Sequence, residues 1–136
     1  MVRQIITQPA LLREKSQPAT EADIQAAADL ADTLEAHREH CVGMAANMIG
    51  LLKNIIAVSD NGEILIMYNP VIIRQDKPFQ TREGCLSLSG MRPTLRYKEI
   101  TVNFQNEKFT NITKKFVGFT AQIIQHEIDH CNGIII

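Results

Sequence analysis

The chain has 136 residues, of which 45% are hydrophobic and 21% are charged, and its formal net charge is −1. A chain of this length can bury a core without disulfides, so we expect one globular domain over residues 1–136. The near-zero net charge argues against broad electrostatic binding to nucleic acid or to an anionic membrane. No apolar run approaches the roughly 20 residues that would span a bilayer.

The N-terminal stretch MVRQIITQPALLREK lacks the apolar core and the small-residue cleavage site of a signal peptide. The three cysteines, Cys41, Cys85 and Cys131, are odd in number and widely spaced. This pattern favours free thiols or metal ligands over a disulfide framework. We therefore expect a cytoplasmic protein without membrane contact, and a monomer.

The first predicted element is a long helix over residues 18–40. Thr20 can cap it, and apolar residues recur at helical spacing between Ile24 and Leu34. Acidic residues in its first turn suit the positive end of the helix dipole.

Strands are predicted next. NIIAVS and EILIMYNP flank DNG, and Asn61-Gly62 is a strong signal for a tight hairpin turn. The alternating stretch EITVNF and its return partner KFTNITKKFVGF predict a second strand pair. A final helix follows from about Thr120, and the isoleucines at 134–136 predict a buried terminal strand. The order helix, strands, helix indicates the α+β class.

The last predicted helix carries the sequence QHEIDH. His126 and His130 are four residues apart, so they lie on one helical face and can present two imidazoles to one metal ion. Glu127 projects beside them, where a carboxylate can move a proton from metal-bound water. The alternative is a chance HExxH match, with both histidines satisfied in the core or at the surface.

A catalytic metal site typically has three protein ligands and one open position, and the third ligand has to come from upstream here. Downstream of His130 the only candidate is Cys131, whose side chain on a continuing helix points about 100° away. The best upstream candidate is Cys85, in TREGCLSLSGMR; Asp60 and Glu63 are weaker because they flank a hairpin turn. A buried structural thiol is the alternative role of Cys85. A Cys-His-His set suits zinc or ferrous iron.

Two motifs in this order resemble the peptide deformylase family. They are EGCLS at residues 83–87 and QHEIDH at residues 125–130, with VGMAANMIG where the family has its glycine-rich first motif. The opening LLREKSQPAT resembles the family's N-terminal segment. The resemblance implies a peptide-deformylase-like fold, with small antiparallel or mixed sheets packed around a central HExxH helix and an N-terminal helix.

The resemblance also implies an activity, removal of the N-formyl group from N-terminal formylmethionine of nascent polypeptides, near the ribosome. It implies one divalent metal ion, Fe²⁺ or Zn²⁺ with Ni²⁺ or Co²⁺ as alternatives, held by Cys85, His126 and His130. Glu127 then serves as the general acid/base, and the backbone N–H of Leu86 helps to stabilise the oxyanion.

The family's first motif reads G-φ-G-φ-A-A-x-Q, and this chain departs from it at two positions. Where the family has a glutamine that donates to the oxyanion, this chain has Met48, whose thioether cannot donate. Losing one such donor typically costs about 10²–10³ in kcat, so we expect reduced efficiency. Asn47 has a donor amide but would point the opposite way in an extended segment. We expect Cys41 to be a small residue tolerated in place of glycine, with a thiol near the site as the alternative.

The substrate pocket implied by family position consists of Val42, Gly43, Phe119, Gln122, Ile123 and Arg92. Gln122 is more polar than a pocket for a thioether would require, and it could lie on the rim. Arg92 fits a solvated surface charge equally well. The alternative function is that of a divergent paralogue, which keeps the metal but binds peptide or another small amide without useful turnover.

Overall fold

The computed structural model describes residues 1–85 and 88–134, and for residues 88 and 89 the backbone alone. In these ranges the chain forms three α-helices, α1 (Pro9–Leu12), α2 (Ile24–Ala36) and α3 (Gly118–Cys131). The strands are β1 (Gly43–Ala45), β2 (Ile55–Asp60), β3 (Glu63–Cys85), β4 (Leu88–Gln105) and β5 (Asn111–Val117). Short 3-10 turns occupy Glu21–Asp23 and Ala46–Ile49.

The strands form one sheet in the order β1-β2-β3-β4-β5, and every described pairing is antiparallel. The expected small sheets are thus a single continuous one. Asp60 pairs with Glu63, and the two residues between them have positive φ angles, 52° at Asn61 and 86° at Gly62. Two positive φ values are what a type I′ turn requires, so the predicted hairpin is confirmed.

Strands β3 and β4 are long, 23 and 18 residues, and they extend well beyond the predicted strands. Their register shifts between Tyr68 and Val71, around Pro70, which has no N–H to donate to the ladder. Beyond that irregularity the pair continues, with further register shifts between Ile72 and Arg74 and between Glu83 and Cys85, to the end of β3. The long pair is what carries residues 83–85 to the final helix.

The sheet is packed between helices. Alternate residues of β2 enter two separate cores, because successive side chains of a strand point to opposite faces. Ile55 lies in a core with Leu30 and Leu34 of α2, whereas Ile56 lies in a second core with Ile124 of α3. This arrangement confirms the predicted α+β class and buries α3 against the sheet.

The predicted helices are present, but their bounds differ from the predicted ones. Thr20 forms a capping box with Asp23, as its hydroxyl accepts from Ala22 N at 3.3 Å and Asp23 Oδ2 accepts from Thr20 N at 2.8 Å. The α-helix itself, however, ends at Ala36. The predicted terminal strand is wrong at Ile134, which is 47% exposed and outside any strand, and residues 135 and 136 lie outside the described residues. No helix in the described ranges is long and apolar enough to cross a membrane.

Candidate metal centre

Three side chains that could bind a metal converge where the end of β3 meets α3. The ligand atoms of Cys85, His126 and His130 lie within 4.8 Å of one another. The two imidazole Nε2 atoms are 3.1 Å apart. Two nitrogens bound to one tetrahedral ion at about 2.0–2.1 Å would be roughly 3.3 Å apart, so this spacing and the donor set fit a metal ion.

The hydrogen bond made by His126 fixes which of its nitrogens faces the other ligands. Its Nδ1 lies 2.8 Å from Glu83 Oε1, and a carboxylate partner at Nδ1 leaves Nε2 for a metal. Glu83 comes two residues before Cys85 on β3, and both residues line the same cavity, although the β3–β4 register is irregular between them. One strand thus supplies both a candidate ligand and the group that orients the second.

Glu83 is held in turn by a buried network. Arg96 on β4 donates to both of its carboxylate oxygens, at 2.7–3.1 Å, and also to Asp129 Oδ2 at 2.6 Å. Gln122 donates to Glu83 Oε2 at 2.8 Å. Burial alone would raise the pKa of Glu83, but the hydrogen bonds from His126, Arg96 and Gln122 outweigh it and lower the pKa to about 2.

The electrostatic environment of His126 favours positive charge. Burial by itself lowers the pKa of its imidazole, but hydrogen bonds to Cys85 and Glu83 and the nearby Glu127 charge raise it to about 10. An environment that stabilises a proton at this position also stabilises a divalent cation. Binding of such a cation would displace the proton, which is the usual coupling of metal binding to proton release.

Glu127 lies beside these ligands in a nearly dry position. Its residue is 4% exposed, and within the described chain its Oε1 has no hydrogen-bond partner. Burial raises the pKa of its carboxyl to about 7. The backbone of Gly43 in β1 passes very close, because a Cβ built there would be 2.9 Å from Glu127 Oε2 and 2.5 Å from Ile123 Cγ2. Only glycine leaves room for the carboxylate at this point.

The site opens into a cavity of about 250 Å³. We call its two sides the ligand wall, formed by Glu83, Cys85, His126 and Glu127, and the motif wall, formed by Cys41, Gly43 and Met48. Five of the six residues implied for the substrate pocket line the cavity: Val42, Gly43, Phe119, Gln122 and Ile123. Arg92 is not among the described lining residues; it lies opposite Glu83 in the β3–β4 pairing.

The motif wall offers few donors. Met48 is buried, and its sulfur accepts from the N–H of Ala45 at 3.4 Å. Cys41 also faces the cavity, with Sγ donating to the Gly43 carbonyl at 2.9 Å. Burial raises the pKa of this thiol to about 11. Cys41 thus places a protonated thiol at the cavity. That it is a small residue tolerated in place of glycine stays a prediction.

Asn47 cannot replace the missing donor. Its Nδ2 donates to the backbone carbonyl of His130 at 2.8 Å, and the residue is fully buried away from the cavity lining. The expectation that neighbouring side chains diverge holds here, although the segment from Ala46 is a 3-10 turn and not a strand. Leu86, the residue implied as an oxyanion donor, lies outside the described residues.

Several residues at the site were missed in the sequence. Glu83 could have been found, since alternation along a strand places it beside Cys85. Arg96 and Asp129 complete its network through long-range contacts for which the sequence has no local signal. His40 and Arg82 line the mouth of the cavity and carry no motif.

A buried carboxylate beside three converging metal ligands, at the base of a cavity, defines the class of metal-dependent hydrolases. Comparison with known proteins identifies the family within this class. Residues 2–136 match the family model for polypeptide deformylase, and the chain belongs to this family.

Individual relatives agree with this assignment. The chain is 48% identical to a peptide deformylase of Clostridium beijerinckii, and the match covers all of both chains. It is 34% identical to peptide deformylase 2 of Clostridium acetobutylicum, with 98% of this chain and 92% of the relative covered. Among solved structures, a peptide deformylase from Legionella pneumophila superposes with a TM-score of 0.90 at 29% identity, over 99% of this chain and 83% of that one. The predicted peptide-deformylase-like fold is thereby confirmed.

Proposed function

We propose that the protein removes the N-formyl group from N-terminal formylmethionine of nascent polypeptides, more slowly than a site with a complete set of oxyanion donors. The observation that carries the proposal is the convergence of Cys85, His126 and His130 beside the buried Glu127. The names of the relatives support the choice of substrate. The substrate would be met in the cytoplasm, near the ribosome, by a monomer.

Cys85, His126 and His130 would hold one divalent ion, and Fe²⁺ or Zn²⁺ suits a thiolate with two imidazoles, with Ni²⁺ or Co²⁺ also compatible. When bound, the ion supplies Lewis-acid chemistry that activates water and polarises the formyl carbonyl. The chain contributes orientation: the Glu83 carboxylate keeps the His126 ring in one tautomer. Which ion serves in the cell follows from availability as well as from the ligands.

Glu127 is the residue we assign to proton transfer. The residue lines the cavity, and its buried Oε1 has no partner within the described chain, so the carboxylate is uncommitted and can accept a proton from the attacking water. The same carboxylate then delivers that proton to the departing amine nitrogen. The close backbone of Gly43 limits where the carboxylate can move, which keeps it positioned for both transfers.

The cavity walls would bind the methionine side chain and the start of the peptide. Val42, Phe119 and Ile123 supply apolar surface, and the Gln122 amide is engaged by Glu83, so its polarity is partly satisfied by the protein itself. The Gly43 backbone is the predicted contact of the peptide chain, although its carbonyl already accepts from the Cys41 thiol. We retain Arg92 only as a predicted contact of peptide outside the cavity.

Stabilisation of the oxyanion is the weak element of the proposal. Met48 has no donor, and the Asn47 amide is committed to the His130 carbonyl. The Leu86 N–H remains a predicted donor. With one donor lost, turnover lower by about 10²–10³ is the expected consequence.

The test is an assay of Fe²⁺- or Co²⁺-loaded protein on formyl-Met-Ala-Ser. We expect measurable wild-type turnover, a fall of about 10²–10⁴ in Glu127→Ala, and a rise of up to about 10²–10³ in Met48→Gln. Each variant is checked for one bound metal ion per chain. No turnover in either the wild type or Met48→Gln, despite bound metal, would refute the proposal.

The donor lost at Met48 is also the observation that favours a second candidate, a divergent paralogue that binds peptide or another small amide without useful turnover. It predicts that a formylated peptide binds the metal-loaded protein at saturation while no amine is released. It also predicts that restoring a donor with Met48→Gln leaves the rate unchanged. Retention of Glu127 weighs against it, because binding alone has little need of that carboxylate.

A further inference from the structure

A second depression lies beside the cavity, and the proposed function does not involve it. We call it the distal trough; its volume is about 470 Å³, and its lining includes Lys77, Phe79, Lys98, Val117, Phe119 and Gln122. It lies where β3 and β4 run past the start of α3. None of the sequence motifs described above lies there.

The distal trough borders the cavity. Phe119 and Gln122 line both, so the two spaces share one border on the first turns of α3. His126, a candidate ligand, and Gly118, which lines the trough, are separated by about 12 Å along the helix axis. An extended peptide advances about 3.3 Å per residue, so roughly four residues are needed to cover that span.

The surface of the trough is apolar at its border and basic on its floor. Val117 and Phe119 are 58% and 63% exposed, so both present large apolar surface to an occupant of the trough. The Lys98 ammonium lies 5.9 Å from the centroid of the Phe79 ring. The Glu99 carboxylate in the trough is already paired with both Lys77 and Lys115.

These charges leave the trough with an excess of positive charge. The described lining has two basic residues, Lys77 and Lys98, against one carboxylate, Glu99. Glu99 is paired both with Lys77 and with Lys115 outside the lining, and Lys98 has the Phe79 ring as its contact. An occupant with acidic side chains complements this surface, whereas a basic one is repelled. The apolar border accommodates the backbone and the small side chains of an extended chain.

We propose that the distal trough binds the substrate polypeptide downstream of its formylmethionine, from about the fourth residue onward, and selects for acidic side chains there. The inference rests on the proposed function, because it requires the substrate chain to leave the cavity across Phe119 and Gln122. A tripeptide is too short to reach the trough. Selectivity therefore appears only with longer substrates.

The test compares three formylated substrates, formyl-Met-Ala-Ser and its extensions by three aspartates or by three lysines. In the wild type, kcat/KM for the aspartate extension should exceed that for the lysine extension about two- to fivefold at low salt. The preference should shrink in 0.5 M salt, where charges on the surface are screened. Lys98→Glu should abolish or invert it.

The matched control is Lys114→Glu. Lys114 is also an exposed lysine over a phenylalanine ring, 5.2 Å from the Phe116 centroid, but it lies outside the trough lining. The control should keep the wild-type ratio of the two extensions. Equal ratios in the wild type, Lys98→Glu and Lys114→Glu would overturn the inference, as would equal loss of the preference in both variants.

The outcome separates this inference from the proposed function. Turnover of formyl-Met-Ala-Ser tests the deformylase activity alone, because that substrate ends before the trough. The ratio between the two extensions tests the trough alone. Normal tripeptide turnover with no charge preference refutes only the inference.

Discussion

The two walls of the cavity differ in the charged and polar groups that they present. On the ligand wall the Glu83 carboxylate is held by several partners: it accepts from His126, Arg96 and Gln122, and Arg96 also pairs with Asp129 behind the wall. On the motif wall the polar contacts are made by sulfur and backbone, with Met48 and Cys41 in place of better donors or bare glycine. The ligand wall suits a cation, whereas the Met48 thioether on the motif wall has no hydrogen to donate to an anion.

This difference separates two requirements that are usually met together in a hydrolase. Holding a metal ion depends on ligands and on the groups that orient them. Turning over substrate also depends on donors aimed at the charge that develops in the transition state. In this protein the ligand geometry suits the first requirement, and Met48 offers no donor for the second. We therefore expect metal affinity and kcat to respond to different substitutions.

Gly43→Ala adds a methyl group on the motif wall, directly against Glu127 on the ligand wall. It should have the largest effect of the following three changes. The new Cβ would meet Glu127 Oε2 at 2.9 Å and Ile123 Cγ2 at 2.5 Å, so both side chains have to shift. Displacement of a catalytic group by about 1 Å can cost about 10² in rate. We expect kcat on formyl-Met-Ala-Ser to fall by about that factor, while metal content stays at one ion per chain. Loss of the metal instead would show that the motif wall supports the ligands directly.

Glu83→Gln changes the ligand wall but leaves all three candidate metal ligands in the chain. The glutamine is nearly isosteric, but it removes the charge that orients His126 and balances Arg96. Loss of such an orienting partner typically weakens metal binding by about 10–100-fold. Competition with a chelator measures this change, and Asp76→Asn, at an exposed pair with Arg74, is the control. Unchanged metal affinity would mean that the network only supports folding.

Glu99→Gln sharpens the comparison by removing a carboxylate that also has two basic partners but lies outside the cavity. Hydrogen bonds from Lys115 and Lys77 lower its pKa from 4.5 to about 2. A lowered folded-state pKa stabilises the protein above the ordinary value, and that stabilisation is lost as the pH falls toward 2. We expect the wild type to be slightly more stable than Glu99→Gln above about pH 5, with the difference vanishing near pH 2.

Urea unfolding at a series of pH values measures this difference between wild type and variant. Metal affinity and kcat on the tripeptide should stay as in the wild type, since Glu99 touches neither wall. A constant difference in stability across the whole pH range would show that the ion pairs contribute nothing.

Much of the fold could be predicted because its signals are local. Asn61-Gly62 dictates a hairpin through its own backbone preferences, and Thr20 caps the helix that follows it. The continuation of β3 after Pro70 was missed because RQDKPFQTRE is polar and shows no alternation. Its strand conformation depends on pairing with β4, a contact between distant segments.

The residues of the candidate site also divide into those with a local sequence signal and those that depend on contacts between distant segments. Spacing on one helix brings His126 and His130 together, and elimination of downstream ligands directs attention to Cys85. The roles of Arg96 and Asn47 depend on which segments pack together, so no pattern near either residue could reveal them. The exposed border at Phe119 was likewise invisible, because an apolar residue on an amphipathic helix is normally expected inside.

The three cysteines differ in a way that bears on how the protein could be followed by chemical labelling. Burial raises the pKa of Cys41 to about 11 and that of Cys131 to about 12, so both stay protonated at neutral pH and should react slowly with alkylating reagents. Cys85 is the remaining thiol, and its sulfur would be covered by a bound ion. The stoichiometry of alkylation in the native protein should therefore report the fraction of molecules that lack metal, with little background from the other two thiols.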